Sequence, residues 1–311
     1  MRLVTRSDFD GLACGALLLA LGIIDDWQFV HPKDLQDGKF LVTQDDILAN
    51  VPYVPGCGMW FDHHASEFSR VGRDKLVAGD CRPALSAARV IYEYYDCAEK
   101  LPHFAEMIDR VDSVDSGQLS REDIMHPKGW VLLGFLMDPR TGLGRFRNFR
   151  ISNYELMLQL LHACATKGIN EILAMPDVNE RVVLYHEQAE LFKQMIWSHT
   201  RIEGNVIITD LRGVDPIHAG NRFLVYSLYP EQNVSLWIVD GRGKQNCPIA
   251  VGYSILNRSC VSDIGSMMLR FGGGGHKQVG TCQVPYDEAD HVIRDIVNEL
   301  MADDAKRAKK K

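Results

Sequence analysis

Six consecutive residues, Met59-Trp60-Phe61-Asp62-His63-His64, narrow the fold more than any other part of the chain. A short apolar run ends on a carboxylate and two imidazoles, as a buried strand does where it releases its chain into the ligand crevice of an open α/β sheet. Carboxylate and imidazole together suit a borderline divalent ion such as Mn²⁺, Fe²⁺ or Zn²⁺. A capping Asp and two surface histidines would spell the same letters, so the rest of the sequence has to decide.

It decides by repetition. Arg2-Leu3-Val4-Thr5 reads as a first strand, followed by Ser7-Asp8-Phe9-Asp10-Gly11 and an apolar helix from Leu12. Asp8 and Asp10 lie two apart and face one side of an extended segment, and Gly11 permits a tight turn into the helix. One acid is enough to favour the helix N-terminus; a second so close is repelled unless a cation joins them. Trp27–Val30 reads as a second strand and Lys39–Thr43 as a third, with Asp45 and Asp46 just beyond it. Acids then end the first, third and fourth expected strands, the pattern of a parallel sheet with a metal-lined crevice. Helices are expected over 83–95 and 101–111, the second running into Asp109, Asp112 and Asp115. Those acids form either a solvated stripe or, through Asp112 or else Asp115, a further ligand. Arg140, Arg145, Arg147 and Arg150 are interleaved with Gly142, Gly144, Phe146 and Phe149, which fits a phosphate-binding loop or a solvated basic one.

Composition limits the partners. The 311 residues, 46% apolar and 24% charged, supply core for two domains. A formal net charge of −7 argues against a general DNA-coating surface, so an anionic substrate must be met by local charge. Eight cysteines without a CxxC pair read as reduced thiols. No signal peptide is read at the N-terminus, and Leu12–Ile24 is too short to span a membrane. The expectation is a soluble cytoplasmic protein.

Helical periodicity resumes over 154–167 and 179–199. After Gly204 the pattern turns to strands at 206–209, 223–226, 234–239 and 249–255, with a helix at 263–270. Phe271-Gly272-Gly273-Gly274-Gly275-His276 follows. Four glycines between packed apolar segments suit a loop whose backbone amides approach an anion, with His276 donating to it. A strand at 281–284, a helix at 288–301 and a basic, solvated tail close the chain. The expected domains are 1–178, a helical linker 179–203, a second domain 204–303 and the tail 304–311.

On the acidic pair Asp8 and Asp10, the Asp62-His63-His64 run and the GGGGH segment, the chain resembles the DHH phosphoesterase superfamily over nearly its whole length. Within it the chain is most similar to exopolyphosphatase-related and nanoRNase-like proteins. The resemblance implies an α/β protein: an N-terminal parallel-sheet DHH domain and a smaller C-terminal α/β DHH-associated domain, joined by a helical linker. The second domain would close over the first and bring His276 to the substrate. It implies metal-dependent hydrolysis, with Mn²⁺ or alternatively Mg²⁺, of a nucleotide, short oligonucleotide or polyphosphate, and it admits a homodimer. It assigns Asp8, Asp10, Asp46 (or Asp45), His63 and Asp112 (or Asp115) to metal. His64, Asp62 and Arg258 are assigned to catalysis. Gly272, Gly273, Gly274, Gly275, His276, Arg258, Arg140 and Arg145 are assigned to substrate. Two-metal members of the family usually carry a histidine four residues before the first Asp of the pair, where this chain has Val4. One firmly held ion is therefore expected, with the second weak, recruited with substrate or absent, and Arg6 is placed to lend its charge. The same departure motivates a second reading, a nucleotide-binding regulatory protein whose metal chemistry is degraded.

Overall fold

Five short strands, β1 (Arg2–Arg6), β2 (Asp26–Val30), β3 (Asp46–Ala49), β4 (Met59–Asp62) and β5 (Ala78–Cys81), form one sheet in the order β2-β1-β3-β4-β5, every pair parallel. The order reverses between β1 and β3. Loops leaving those two strands part there, and a crevice opens at their C-terminal ends. All four residues of β3 are buried, as are the last three of β4. Continuous burial, rather than alternation, marks a sheet covered on both faces. Val4, Leu48 and Trp60 share one face with Leu35, Val51 and Cys81.

This computed structural model describes residues 1–64, 67, 70, 71 and 77–309. It comprises two units, Met1–Leu119 with His126–Tyr185, and Ser120–Met125 with His186–Lys311. The helix Pro176–His199 carries the chain from one to the other. Within the first unit Arg181 is fully buried. Its guanidinium donates to the carbonyls of Asp177 and Ile151 (both 2.7 Å), to Glu180 Oε1 (2.7 Å) and to Asn153 Oδ1 (3.0 Å), and lies 3.9 Å over the Phe149 ring. That network anchors the end of the arginine-rich 140–150 stretch.

The second unit holds β6 (Thr200–Glu203), β7 (Val206–Asp210), β8 (Val234–Ile238), β9 (Asn246–Tyr253), β10 (Gly274–His276) and β11 (Val279–Pro285). Their order is β10-β11-β9-β8-β7-β6, with only β7 and β8 parallel. Gly280, Cys282 and Val284 alternate inward along β11, and Val292, Ile293, Ile296, Val297 and Leu300 of the helix Ala289–Ala308 pack with that core.

Several expectations are corrected. Lys39–Thr43 is not a strand, because its residues are mostly exposed and the buried run begins at Asp46. The 223–226 strand is a helix, Leu224–Leu228. The tail is helical through Ala308, fixed by Lys306–Asp303 and Arg307–Asp304 pairs; residues 310 and 311 lie outside the described residues. The glycine run is partly strand. Gly274–His276 pairs with β11, and a Cβ on Gly273 would stand 2.0 Å from the Thr281 carbonyl oxygen. Close strand approach therefore accounts for that glycine without an anion.

Candidate metal centre

The C-terminal ends of β1, β3 and β4 deliver the functional side chains. After β1, Asp8 caps the helix Phe9–Ala20: its Oδ1 accepts from the Gly11 amide (3.0 Å) and from Asn50 Nδ2 (3.0 Å), the residue that follows β3. Arg6 Nε pairs with Asp8 Oδ2 at 3.0 Å. Burial holds the Asp8 carboxyl above its ordinary value, although the charge of Arg6 and the Gly11 amide draw it part of the way back. Gly11 is required here, since a Cβ would meet the Arg6 carbonyl oxygen at 2.0 Å. Asp8 is thus bound by a backbone amide, an amide side chain and a guanidinium.

Asp10, two residues further and 2% exposed, accepts from the Ala87 amide (2.9 Å) and the Ala88 amide (2.8 Å). These amides open the helix Ala87–Tyr94, so two helix starts converge on one carboxylate. Burial raises the Asp10 carboxyl well above the ordinary range, and the negative charges of Asp115 and Asp8 add to it. A cation among these acids would reverse that shift.

β4 ends on Asp62, which is fully buried. Its Oδ1 takes the His63 amide (2.9 Å) and His64 Nδ1 (2.8 Å), while Oδ2 is buried without a hydrogen bond. His63 Nδ1 lies 3.3 Å from the Ala84 carbonyl. A carbonyl can only accept, so Nδ1 carries a proton, and in the neutral ring Nε2 presents its lone pair. Nε2 is also buried without a hydrogen bond, 3.6 Å from Asp10 Oδ2 and 3.4 Å from Asp115 Oδ2. An imidazole lone pair facing two carboxylates is repulsive in an otherwise empty site and favourable around a cation. Ligand atoms of Asp10, His63 and Asp115 all lie within 4.8 Å of one another, as do those of Asp62, His63 and His64. The residues fit a divalent metal ion. His64 is raised above its ordinary value by its hydrogen bond to Asp62.

Other assigned residues fall elsewhere. Asp46 stands at the start of β3, so the strand's length, about 13 Å for four residues, separates it from the crevice. Its carboxylate takes Arg2 (2.7 and 3.0 Å) and the Thr43 amide (2.7 Å); burial pushes it up, but those donors outweigh burial and hold it low. Asp45 is exposed beside it. Asp112 accepts from Ser86 Oγ (2.6 Å) and Arg89 Nε (2.7 Å), and Asp115 takes the cluster position instead. Val4 is sealed in the apolar face of the sheet and offers no ligand atom. Arg140 pairs with Asp138 (2.8 Å), and Arg145 Nε donates to the Gly142 carbonyl (3.2 Å). In the second unit, Arg258 Nε donates to the Ile255 carbonyl (3.1 Å), and Gly272 to His276 run into β10. Sequence reasoning missed Asn50, although it follows the apolar run Ile47–Ala49 just as Asp62 follows Met59–Phe61.

No protein-family model matches the chain, and no curated protein does. Among solved structures, the chain is 46% identical to a pGpG-specific phosphodiesterase, PggH, from Vibrio cholerae, over 97% of this chain and 99% of that one, with a TM-score of 0.85. Two more distant structures share the fold. The DHH domain of a member of the s1p family of ribosomal proteins is 14% identical, with 96% of this chain and 86% of that one covered and a TM-score of 0.55. RecJ from Thermus thermophilus, in complex with Mn²⁺, is 15% identical, with 96% of this chain and 52% of that one covered and a TM-score of 0.53.

Proposed function

This chain belongs to the DHH phosphoesterase superfamily, and on that premise we propose that it is a divalent-metal phosphodiesterase that cleaves a linear guanine dinucleotide, pGpG, into two molecules of GMP. The observation that carries the reading is the pair of orphaned buried atoms, His63 Nε2 and Asp62 Oδ2, in a relative so similar to a pGpG-specific enzyme. Asp10, His63 and Asp115 would hold the ion, and their mixed nitrogen and oxygen donors suit Mn²⁺, with Mg²⁺ a poorer match for the imidazole. A divalent ion there supplies a polarised phosphoryl oxygen and an acidified water.

The protein's own residues do the rest. Asp62 fixes the His64 ring through Nδ1 and favours its charged form, leaving Nε2 to donate to a phosphate oxygen or to the departing alkoxide. Arg6, held by Asp8, places a guanidinium beside the cluster where charge accumulates on the phosphoryl group. Asn50 helps to hold Asp8 in that position. Arg258 and His276 are proposed contacts to substrate phosphate, since guanidinium and imidazole both donate to phosphate oxygens.

The test offers pGpG, 3′-phosphoadenosine-5′-phosphate, a cyclic dinucleotide and polyphosphate with Mn²⁺ and, in parallel, with Mg²⁺. GMP release from pGpG, reduced about 100-fold or more in His63→Ala, is the expected result. Silence on pGpG, or release undiminished in His63→Ala, overturns the proposal.

A further inference from the structure

Beside the metal cluster the first unit contains a cavity of about 460 Å³, within the roughly 300–1,000 Å³ of small-ligand pockets. Cavity and cluster share a wall. Ala84 lines the cavity, and its carbonyl holds His63 Nδ1 at 3.3 Å. Asp112 also lines it, one helical turn before Asp115. The cavity lies just past the C-terminal end of β5, the crevice side of the sheet.

Its lining offers no net positive charge to a phosphate. Arg82 and Arg89 face Glu93, Asp109 and Asp112, two positive groups against three negative, for a formal charge of −1. Each arginine's charge is already matched, Arg82 by Asp80 (2.7 Å) and Glu93, Arg89 by Asp109 (2.6 Å) and Asp112 (2.7 Å), while the five N–H donors of a guanidinium leave capacity for a neutral acceptor. Pro83 and Leu85 supply an apolar wall, with Leu85 42% exposed. A flat, neutral ring with donors and an acceptor along one edge matches such a lining. Guanine has that edge: O6 accepts, and N1–H and the N2 amino group donate. Adenine presents the opposite, an amino donor where guanine has O6.

Resting on the dinucleotide reading above, we propose that this cavity seats one guanine base of the substrate. Asp109, whose side chain is 70% exposed, accepts from the N1–H and N2 edge, an arginine donates to O6, and Leu85 covers the ring face. The pocket is the specificity element of the enzyme, one wall away from the scissile phosphate.

Calorimetric titration of the Mn²⁺-loaded protein with GMP and with AMP tests this without requiring turnover. GMP is expected to bind about 10- to 100-fold more tightly than AMP. Asp109→Asn, an exposed and nearly isosteric change, should bring the ratio close to one while AMP affinity stays where it was. Equal affinities in the wild type, or a preference that survives Asp109→Asn, overturn the pocket. A GMP preference lost in the variant, in a protein that fails to cleave pGpG, upholds the pocket and removes the proposed activity.

Discussion

Asn50→Asp would place a second carboxylate against Asp8 with almost no change of shape. The side chains meet at 3.0 Å, Asn50 is 3% exposed, and its φ of 55° is one that Asp tolerates as Asn does. Two unit charges at that separation repel by about 5.5 kcal/mol at an effective dielectric of about 20. The protein can avoid that cost by taking up a proton. At pH 7 doing so costs about 1.36 kcal/mol for each of the roughly three pH units above an ordinary Asp pKa of about 3.9, or about 4 kcal/mol. Proton uptake is the smaller figure, so it sets the loss. The folded state then binds more protons than the unfolded one, and stability falls as pH rises from about 4. At pH 5 the deficit shrinks to about 1.5 kcal/mol. In the metal-free variant the transition of the first unit should therefore drop by about 8–16 °C at pH 7, at about 2–4 °C per kcal/mol, and recover most of that at pH 5. Mn²⁺ should narrow the gap by lying between the two carboxylates, and equilibrium dialysis should count one more ion per chain than in the wild type. A variant as stable as the wild type at pH 7 without metal would refute the contact between Asp8 and Asn50, and with it the account of Asp8 as an arginine holder.

Three further outcomes follow from the same geometry. Asp115→Asn should weaken Mn²⁺ binding by about tenfold or more in direct titration, whereas Asp112→Asn, acting on Ser86 and Arg89, should leave affinity within about threefold. In the metal-free protein the His64 ring should titrate above its ordinary value by NMR, and Asp62→Asn should lower it; the charged ring's contribution to stability is present at acid pH and lost as pH rises through that titration. Arg181→Met leaves the Ile151 carbonyl and Asn153 without their donor and should cost about 3–5 kcal/mol in urea unfolding, with no loss of Mn²⁺ affinity.

The sheet was legible where apolar runs touched functional residues. Met59–Phe61 and Leu3–Thr5 are short and lead straight into acids, so both strands and their crevice ends could be read from the chain. β3 was not readable in the same way. Asp46 looks like an acid after a strand, because Lys39–Thr43 has strand-forming residues; only the pairing of Arg2 with Asp46, made across forty-odd residues, turns it into a strand's beginning. Asp109, Asp112 and Asp115 differ for another reason. At 100° per residue each is rotated by about 60° from the last, so which one faces the crevice depends on Ser86 and Arg89, which capture Asp112 from another helix. Asn50 was invisible as a site residue because it is not a metal-binding type, and its role exists only through Asp8. β5, Ala-Gly-Asp-Cys, carries too little apolar character to announce itself and is a strand by virtue of its pairing with β4.

Ser120–Met125 belongs with residues 186–311, although 126–185 completes the other unit. Arg121 Nη2 reaches the Ser227 carbonyl at 3.3 Å, and Asn221 Nδ2 reaches that of Ile124 at 3.4 Å. During synthesis, these six residues emerge early and wait while about a hundred more are added, roughly 5–20 s at about 5–20 residues per second. The first half meanwhile is completed by residues 126–185, which follow a short helix, Arg121–Met125, that belongs to the other unit. Two genes of this family recombining at a single point between the halves would deliver that helix to the wrong parent. Exchange of either half between relatives must therefore carry three joints together.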